Sequence, residues 1–227
     1  MSFTHSHLTV PELVVHKIGD LRWYETPDGY KYPSITSVLG RQPEKQEGLK
    51  KWRESIGDKA ANIISGKAAR RGTVFHNICE DYLNNEEIVQ HKDQNFLSWC
   101  MFNELKPYLN DTIHRVKLQE QNMYSDRFRV AGRCDLIAEV KGGDTCIIDF
   151  KTTTKMKKKE WIKDYFIQCS AYASMFDELT GTKVPDIAIM MVAEDGQVEV
   201  FKEKAENFYD DLEVMMSNFY DSFELAA

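Results

Sequence analysis

The sequence predicts an α/β (α+β) domain, with a mixed central β-sheet flanked by helices and a helical N-terminal half. Three observations carry this. Apolar residues recur at three- to four-residue spacing between about Glu44 and Leu83. Short alternating runs replace that period after Asp111. Helical spacing then returns on both sides of the nearly continuous apolar run IAIMMVAE, the type buried on both faces of a sheet.

The elements follow in order. Residues 1–43 read as extended segments and turns. In LRWYETPDGYKYPSI a Pro-Asp-Gly turn signal lies between aromatic runs and predicts a hairpin. Pro33-Ser34-Ile35-Thr36 reads as the entry to a short helix, with Ser34 or Thr36 as N-cap. Leu49, Trp52, Ile56 and Ala60 fall at helical spacing, and Gly66 and Gly72 are the expected dividers of the stretch. In GTVFHNICEDYL, residues Val74, Phe75, Ile78, Cys79 and Tyr82 share one apolar face. A further helix is expected from Asn95 to Leu105, stopped near Pro107. Next come three strands in a meander, turning at Ser125-Asp126 and at Lys141-Gly142-Gly143-Asp144. A helix over about Lys159–Leu179, the IAIMMVAE strand, a hairpin partner in EDGQVEVFK and a C-terminal amphipathic helix complete the chain. The aromatic and methionine stripe of that last helix reads as core.

With 227 residues, 42% of them hydrophobic, and no Pro/Gly/Ser-rich linker or repeat, a single domain over 1–227 is expected. It would comprise an extended part (1–43), a helical part (44–110) and a sheet core (111–227). The N-terminal stretch lacks the long apolar region of a signal peptide, and no apolar run approaches the ~20 residues of a membrane span. The five cysteines are scattered without a C-x-x-C pair, which fits a reduced compartment and small buried side chains. The net charge of −7 argues mildly against nucleic acid, but the basic residues are bunched. One bunch is Lys50, Lys51, Arg53, Lys59, Lys67, Arg70 and Arg71; the other is Lys151, Lys155, Lys157, Lys158, Lys159 and Lys163. Each is either a solvated surface or part of a basic face.

The segment AGRCDLIAEVKGGDTCIIDFKTTTK carries the chemistry. A hairpin about Lys141–Asp144 brings Asp135 and Asp149 toward the same open end. Asp149 and Lys151, two residues apart, share a sheet face, and Phe150 points to the other. A salt-bridged strand pair would produce the same pattern. Asp149, however, sits in the apolar run Ile147-Ile148-Asp149-Phe150, where a charge is costly unless paired or bound to a cation. Carboxylates in that setting suit Mg²⁺ or Mn²⁺. A lysine on the same face could orient a water or stabilise charge developing on a phosphate.

Gly132-x-x-Asp135, Asp149-x-Lys151 and Gln168-x-x-x-Tyr172, preceded by Arg71-Gly72-Thr73-x-x-His76 and by Glu120, resemble the motif series of the RecB-like branch of PD-(D/E)XK nucleases. The segments Pro33-Ser34-Ile35-Thr36-Ser37-Val38-Leu39 and Lys51-Trp52-Arg53 resemble those of the mitochondrial genome maintenance exonuclease family and related phage exonucleases. The resemblance runs from about Tyr32 to Phe176. It implies a restriction-endonuclease-like fold and a metal-dependent deoxyribonuclease. His76, Asp135 and Asp149 would ligate Mg²⁺ or Mn²⁺ together with the Phe150 carbonyl. Glu120 would act through water or a second ion, and Lys151 would position the attacking water. Gln168 and Tyr172 would contact DNA near the scissile phosphate. Arg70, Arg71, Lys155 and, more weakly, Ser34 and Thr36 are candidate phosphate contacts. Trp52 and Tyr82 are expected to stack bases. The cysteine pattern of relatives with an iron–sulfur cluster is missing, so no cluster is expected.

The leading expectation is an exonuclease on DNA ends, with single strands preferred. It would work in replication, repair or recombination, with proteins of those processes as partners and no membrane. Its expected location is intracellular, the bacterial host cytoplasm if phage-encoded. An endonuclease with the same centre, or a binding module that has lost catalysis, are the competing readings.

Overall fold

Residues 2–224 are described by a computed structural model of the chain. Strand β1 (Thr4–His5) is followed by β2 (Val14–Ile18), β3 (Leu21–Glu25) and β4 (Lys31–Pro33). Helices α1 (Ile35–Gly40), α2 (Pro43–Ile56), α3 (Asp58–Leu83), α4 (His91–Gln94) and α5 (Phe96–Thr112) come next. Strands β5 (Ile113–Ser125), β6 (Val130–Val140) and β7 (Thr145–Thr153) form the meander. A 3₁₀ turn (Lys159–Trp161) leads into α6 (Lys163–Thr180). Then follow β8 (Asp186–Ala193), β9 (Val198–Lys204) and α7 (Tyr209–Glu224).

The main sheet has the order β1-β5-β6-β7-β8-β9. β1 runs parallel to β5 and β7 parallel to β8, while the remaining pairs are antiparallel. Alternation along the strands separates two cores. Ile137, Ile147, Ile187 and Ile189 pack with α1, α6 and α7 on one face. Leu136, Ile148, Phe150 and Ala188 pack with α3 and α5 on the other. β8 is buried from Ile187 to Ala193, as its continuous apolar run requires. A second sheet, β2-β3-β4, contains the expected hairpin.

Two boundaries differ from expectation. The long helical stretch divides at Gly57, where φ is 81°, and Gly66 and Gly72 both stay helical inside α3. Only Gly57 takes the left-handed backbone that a sharp exit between two helices demands. α5 continues through Pro107 to Thr112. The carbonyl deprived of its donor belongs to Asn103, on the exposed side, where water can serve it. Ser34 occupies the N-cap of α1 as expected, although its hydroxyl bonds Thr36 Oγ1 at 2.7 Å and makes no side-chain cap to the helix. The stripe on α2 is helical yet unburied: Leu49 is 46% exposed. The stripe on α7, by contrast, is core, with Leu212, Met215, Met216 and Phe219 all buried. Among the cysteines, Cys100 is exposed and the other four are buried.

Candidate metal centre

The site lies where two central strands part. The β6–β7 ladder begins at the Gly-Gly turn and its last pair is Leu136↔Ile148. Beyond it, β6 continues in register with β5 and β7 with β8. Asp135 and Asp149 are the first residues in the fork. Phe150 N–H donates to Asp135 Oδ2 at 2.8 Å, so a carboxylate serves a backbone donor that has left the β6 ladder. On β5, the pairs Gln119↔Leu136 and Gln121↔Cys134 place Glu120 opposite Asp135. Glu120 has φ of 50°, a left-handed conformation rare outside glycine and one that costs ~1–2 kcal/mol.

Helices from both faces close the fork. His76 comes from α3, with Nδ1 3.5 Å from Asp135 Oδ2 and 3.8 Å from Glu120 Oε1. Ligand atoms of His76, Glu120 and Asp135 all lie within 4.8 Å of one another. From α6, Gln168 Nε2 donates to Asp149 Oδ1 at 2.9 Å and to Tyr172 Oη at 3.2 Å. Asp149 Oδ2 meets Lys151 Nζ at 2.5 Å as an ion pair, without the alignment of a hydrogen bond. Gly132 explains how Tyr172 fits. A Cβ at that position would stand 2.8 Å from Tyr172 Cε1, so the ring rests on bare backbone.

Charges at the fork hold one another. Burial opposes a charge on His76, but Asp135 beside it outweighs this and raises its pKa to about 10. Burial pushes Asp135 upward, yet His76 and Lys151 leave it below the usual carboxylate range. Burial raises Asp149 to about 6 against the pull of Lys151. Lys151 is held above its ordinary value by Asp149 and Asp135 despite burial. In the metal-free state His76 and Lys151 are therefore cations at neutral pH.

A cavity of about 230 Å³ opens on this group. Ser34, Thr36, His76, Glu120, Asp135, Lys151, Gln168 and Tyr172 line it, so most of the residues singled out from the sequence converge. Asp149 lies just behind, 1% exposed. Arg22, Tyr24 and Arg133 also line the cavity. Arg133 Nε is 2.6 Å from Glu120 Oε2, and Arg22 Nη2 donates to Thr36 Oγ1 at 3.4 Å. Sequence reasoning missed these three. The Gly132-Arg133 neighbourhood was a signal for one of them; Arg22 and Tyr24 are reached only through the packing of the small sheet.

Other expected contacts are placed differently. Arg71 is buried, pairs with Glu194 and donates to Thr152 Oγ1 at 3.3 Å, so its guanidinium ties α3 to the sheet and is not presented to a phosphate. Tyr82 is packed between Phe3 and Phe102 and donates to Asn110 Oδ1 at 2.8 Å, which leaves no open ring face for a base. Arg70 and Lys155 are exposed and lie outside the cavity lining.

A mixed sheet whose parted central strands carry Asp135 and Asp149-x-Lys151, covered by a histidine-bearing helix, is the framework of a nuclease class. The chain belongs to the PD-(D/E)XK nuclease superfamily, whose family model matches residues 44–216. Over 131 residues it is 27% identical to mitochondrial genome maintenance exonuclease 1 of Homo sapiens, a match covering 55% of this chain and 38% of that protein. The match thus spans well under two thirds of that relative's length. Among solved structures the chain is similar to SSO0001, with a TM-score of 0.44 and 14% identity over 85% of this chain and 75% of the other. It is also similar to a candidate exonuclease of Eubacterium rectale, with a TM-score of 0.45 and 11% identity over 65% of each chain. Nucleases of this superfamily generally use divalent metals, and the His76, Glu120 and Asp135 group has the donor chemistry such an ion takes. No helix among the described residues is long and apolar enough to cross a membrane.

Proposed function

We propose that this protein is a metal-dependent DNA exonuclease that hydrolyses phosphodiester bonds at single-stranded ends, in DNA replication, repair or recombination. The observation that carries the reading is the convergence of His76, Glu120 and Asp135 within 4.8 Å beside the Asp149–Lys151 pair, in the fork of two central strands. The donor set fits Mg²⁺ or Mn²⁺. It offers one imidazole nitrogen, two carboxylates within reach, and the Asp149 Oδ2 atom, buried and poorly aligned with its lysine. His76, Asp135 and Asp149 would hold the ion with the Phe150 carbonyl, and Glu120 would complete the group or act through water. Bound there, the ion supplies Lewis acidity toward a phosphate oxygen and a water.

The remaining work falls to the protein. Lys151, a cation at neutral pH, orients the water and stabilises charge on the phosphate; it does not accept the proton in that state. Gln168 fixes the Asp149 carboxylate by its amide, and Tyr172 holds Gln168 in turn. Arg22 and Arg133 at the cavity wall supply phosphate contacts, with the hydroxyls of Ser34 and Thr36 beside them. The cavity holds only about 230 Å³ and has Arg22 and Tyr24 of the small sheet in its wall, which supports the single-strand reading. The exonuclease assignment draws further support from the named activity of the human relative.

The test is digestion of end-labelled linear and of circular single-stranded DNA with Mn²⁺ or Mg²⁺, with Asp135→Asn as control. Nucleotide release from the linear substrate alone is expected, abolished by chelator and by the substitution. Cutting of the circle would make the protein an endonuclease. Binding without any cleavage by the wild type would make it a module that has lost catalysis.

A further inference from the structure

Trp161 is 68% exposed, an unusual setting for an indole. It ends the 3₁₀ turn that joins β7, which carries Asp149 and Lys151, to α6, which carries Gln168 and Tyr172. Tyr165, Gln168 and Tyr172 fall at helical spacing on α6, and Trp161 stands four residues before Tyr165, in the turn that leads into the helix. Their exposure falls along that line. Trp161 is open, Tyr165 half-buried, and Gln168 and Tyr172 are buried at the cavity.

Lysines accompany the line. Lys158 Nζ lies over one face of the Trp161 ring, 5.5 Å from its centre, which leaves the other face for a base. Lys157 donates to Tyr165 Oη at 2.8 Å, and Lys151 Nζ lies 5.0 Å from the Tyr165 ring. Lys155, in the same connection, is exposed, whereas Lys159 and Lys163 are paired with Glu203 and Asp211. An exposed aromatic face with ammonium groups around it, continuous with the candidate metal centre, has the chemistry that recognises a single-stranded polyanion with unpaired bases. A duplex hides its base faces and could not use it.

We propose that Trp161 is a stacking platform for a nucleobase of single-stranded DNA, with Lys155 and Lys158 on the adjoining phosphates. The inference rests on the nuclease reading above and names the feature that would give it strand selectivity. Trp161 precedes the first residue of α6, and Gln168 lies within that helix, so the stacked base lies beyond the nucleotide held at the metal centre.

The test measures binding of a short oligodeoxyadenylate, and of its duplex, in chelator. Wild type, Trp161→Ala and Trp161→Phe are compared, with melting curves to confirm folding. Trp161→Ala should weaken single-strand binding roughly tenfold to a hundredfold and leave duplex binding unchanged. Trp161→Phe should keep most of the affinity, and cleavage of a dinucleotide too short to reach the indole should be equal in all three. Equal single-strand binding by wild type and Trp161→Ala would overturn the platform alone. Equal weakening toward single strand and duplex would overturn it in favour of a plain surface contact. Failure of the wild type to bind the oligonucleotide in chelator would overturn the platform, whereas absence of any cleavage with Mn²⁺ would overturn the nuclease reading.

Discussion

The ring of Tyr172 lies so close over Gly132 that a methyl group on that glycine would stand 2.8 Å from Cε1, and 3.1 Å from Ile35 Cγ2 on the neighbouring helix. The glycine of Gly132-x-x-Asp135 is thus a seat for the tyrosine of Gln168-x-x-x-Tyr172. Gly132→Ala should destabilise the protein by ~1–3 kcal/mol, as overpacking does. It should also lower the cleavage rate by displacing Gln168 from Asp149. Combining it with Tyr172→Leu should cost less stability than the two single changes added together, because the leucine removes the clash. Strict additivity in denaturant unfolding would show that the contact is not the cause.

His76 should lose a proton when metal binds. Its folded pKa of about 10 exceeds an ordinary histidine's ~6.5, so its charge pairing with Asp135 stabilises the metal-free protein fully below ~6.5. That contribution disappears as pH rises through about 10. A divalent ion takes the neutral imidazole, so Mn²⁺ affinity should rise about tenfold per pH unit over the range where His76 is protonated. Calorimetric titration at pH 7.5 in two buffers of different ionisation enthalpy should report about one proton released. No proton release would remove His76 from the ligand set.

Asp149 and Lys151 should separate ligand from positioning group. Asp149→Asn removes a carboxylate from the centre, and Mn²⁺ affinity and cleavage should both collapse. Lys151→Ala leaves every ligand in place, so metal should bind while the single-turnover rate falls on the order of 10²-fold or more. The variant also strands the 1%-exposed Asp149 without its ion pair, which should cost the metal-free protein ~3–5 kcal/mol. Mn²⁺ should therefore raise the melting temperature of Lys151→Ala more than that of wild type. Wild-type Mn²⁺ affinity in Asp149→Asn would place the ion on His76, Glu120 and Asp135 alone.

The basic run after β7 should act unevenly. Replacing Lys155 and Lys158 with Gln should flatten the slope of log K against log salt for a single strand by up to ~1.4 units if both meet phosphates. Lys159→Gln should change it little, because Glu203 already holds that ammonium. Arg70→Gln should weaken binding, whereas Arg71→Gln should lower stability through the loss of its buried pairing with Glu194. Equal slopes for all the lysine variants would return the run to a solvated surface.

Much of the frame was legible in the sequence because it depends on local periodicity and turn chemistry. The Pro-Asp-Gly hairpin, the Gly-Gly turn that sets Asp135 against Asp149, and the buried β8 run are all of that kind. The misses arise where tertiary context decides. Pro107 is tolerated because the carbonyl it frees is exposed, and the choice of Gly57 over Gly66 and Gly72 as the break reflects which backbone must turn left-handed. Arg71 looked like a phosphate ligand until its partner Glu194, 123 residues away, was in view. Arg22 and Tyr24 reach the cavity only because the small sheet packs beside β6, a contact no spacing rule encodes.

Between residues 43 and 70, Ala61 is the one residue counted as buried among those described. Leu49, Ile56, Ile63 and Ile64 all face outward there, on α2 and the first half of α3. This length of helix is nearly core-neutral: interior packing constrains little of its sequence beyond helix formation and the turn at Gly57. Selection on its side chains would therefore act chiefly through whatever they touch outside the chain. For protein engineering, the arm is a place where substitutions report on recognition with little confounding from unfolding. A fluorophore or cross-linker attached there would sit clear of the interior while remaining covalently continuous with the helix that carries His76.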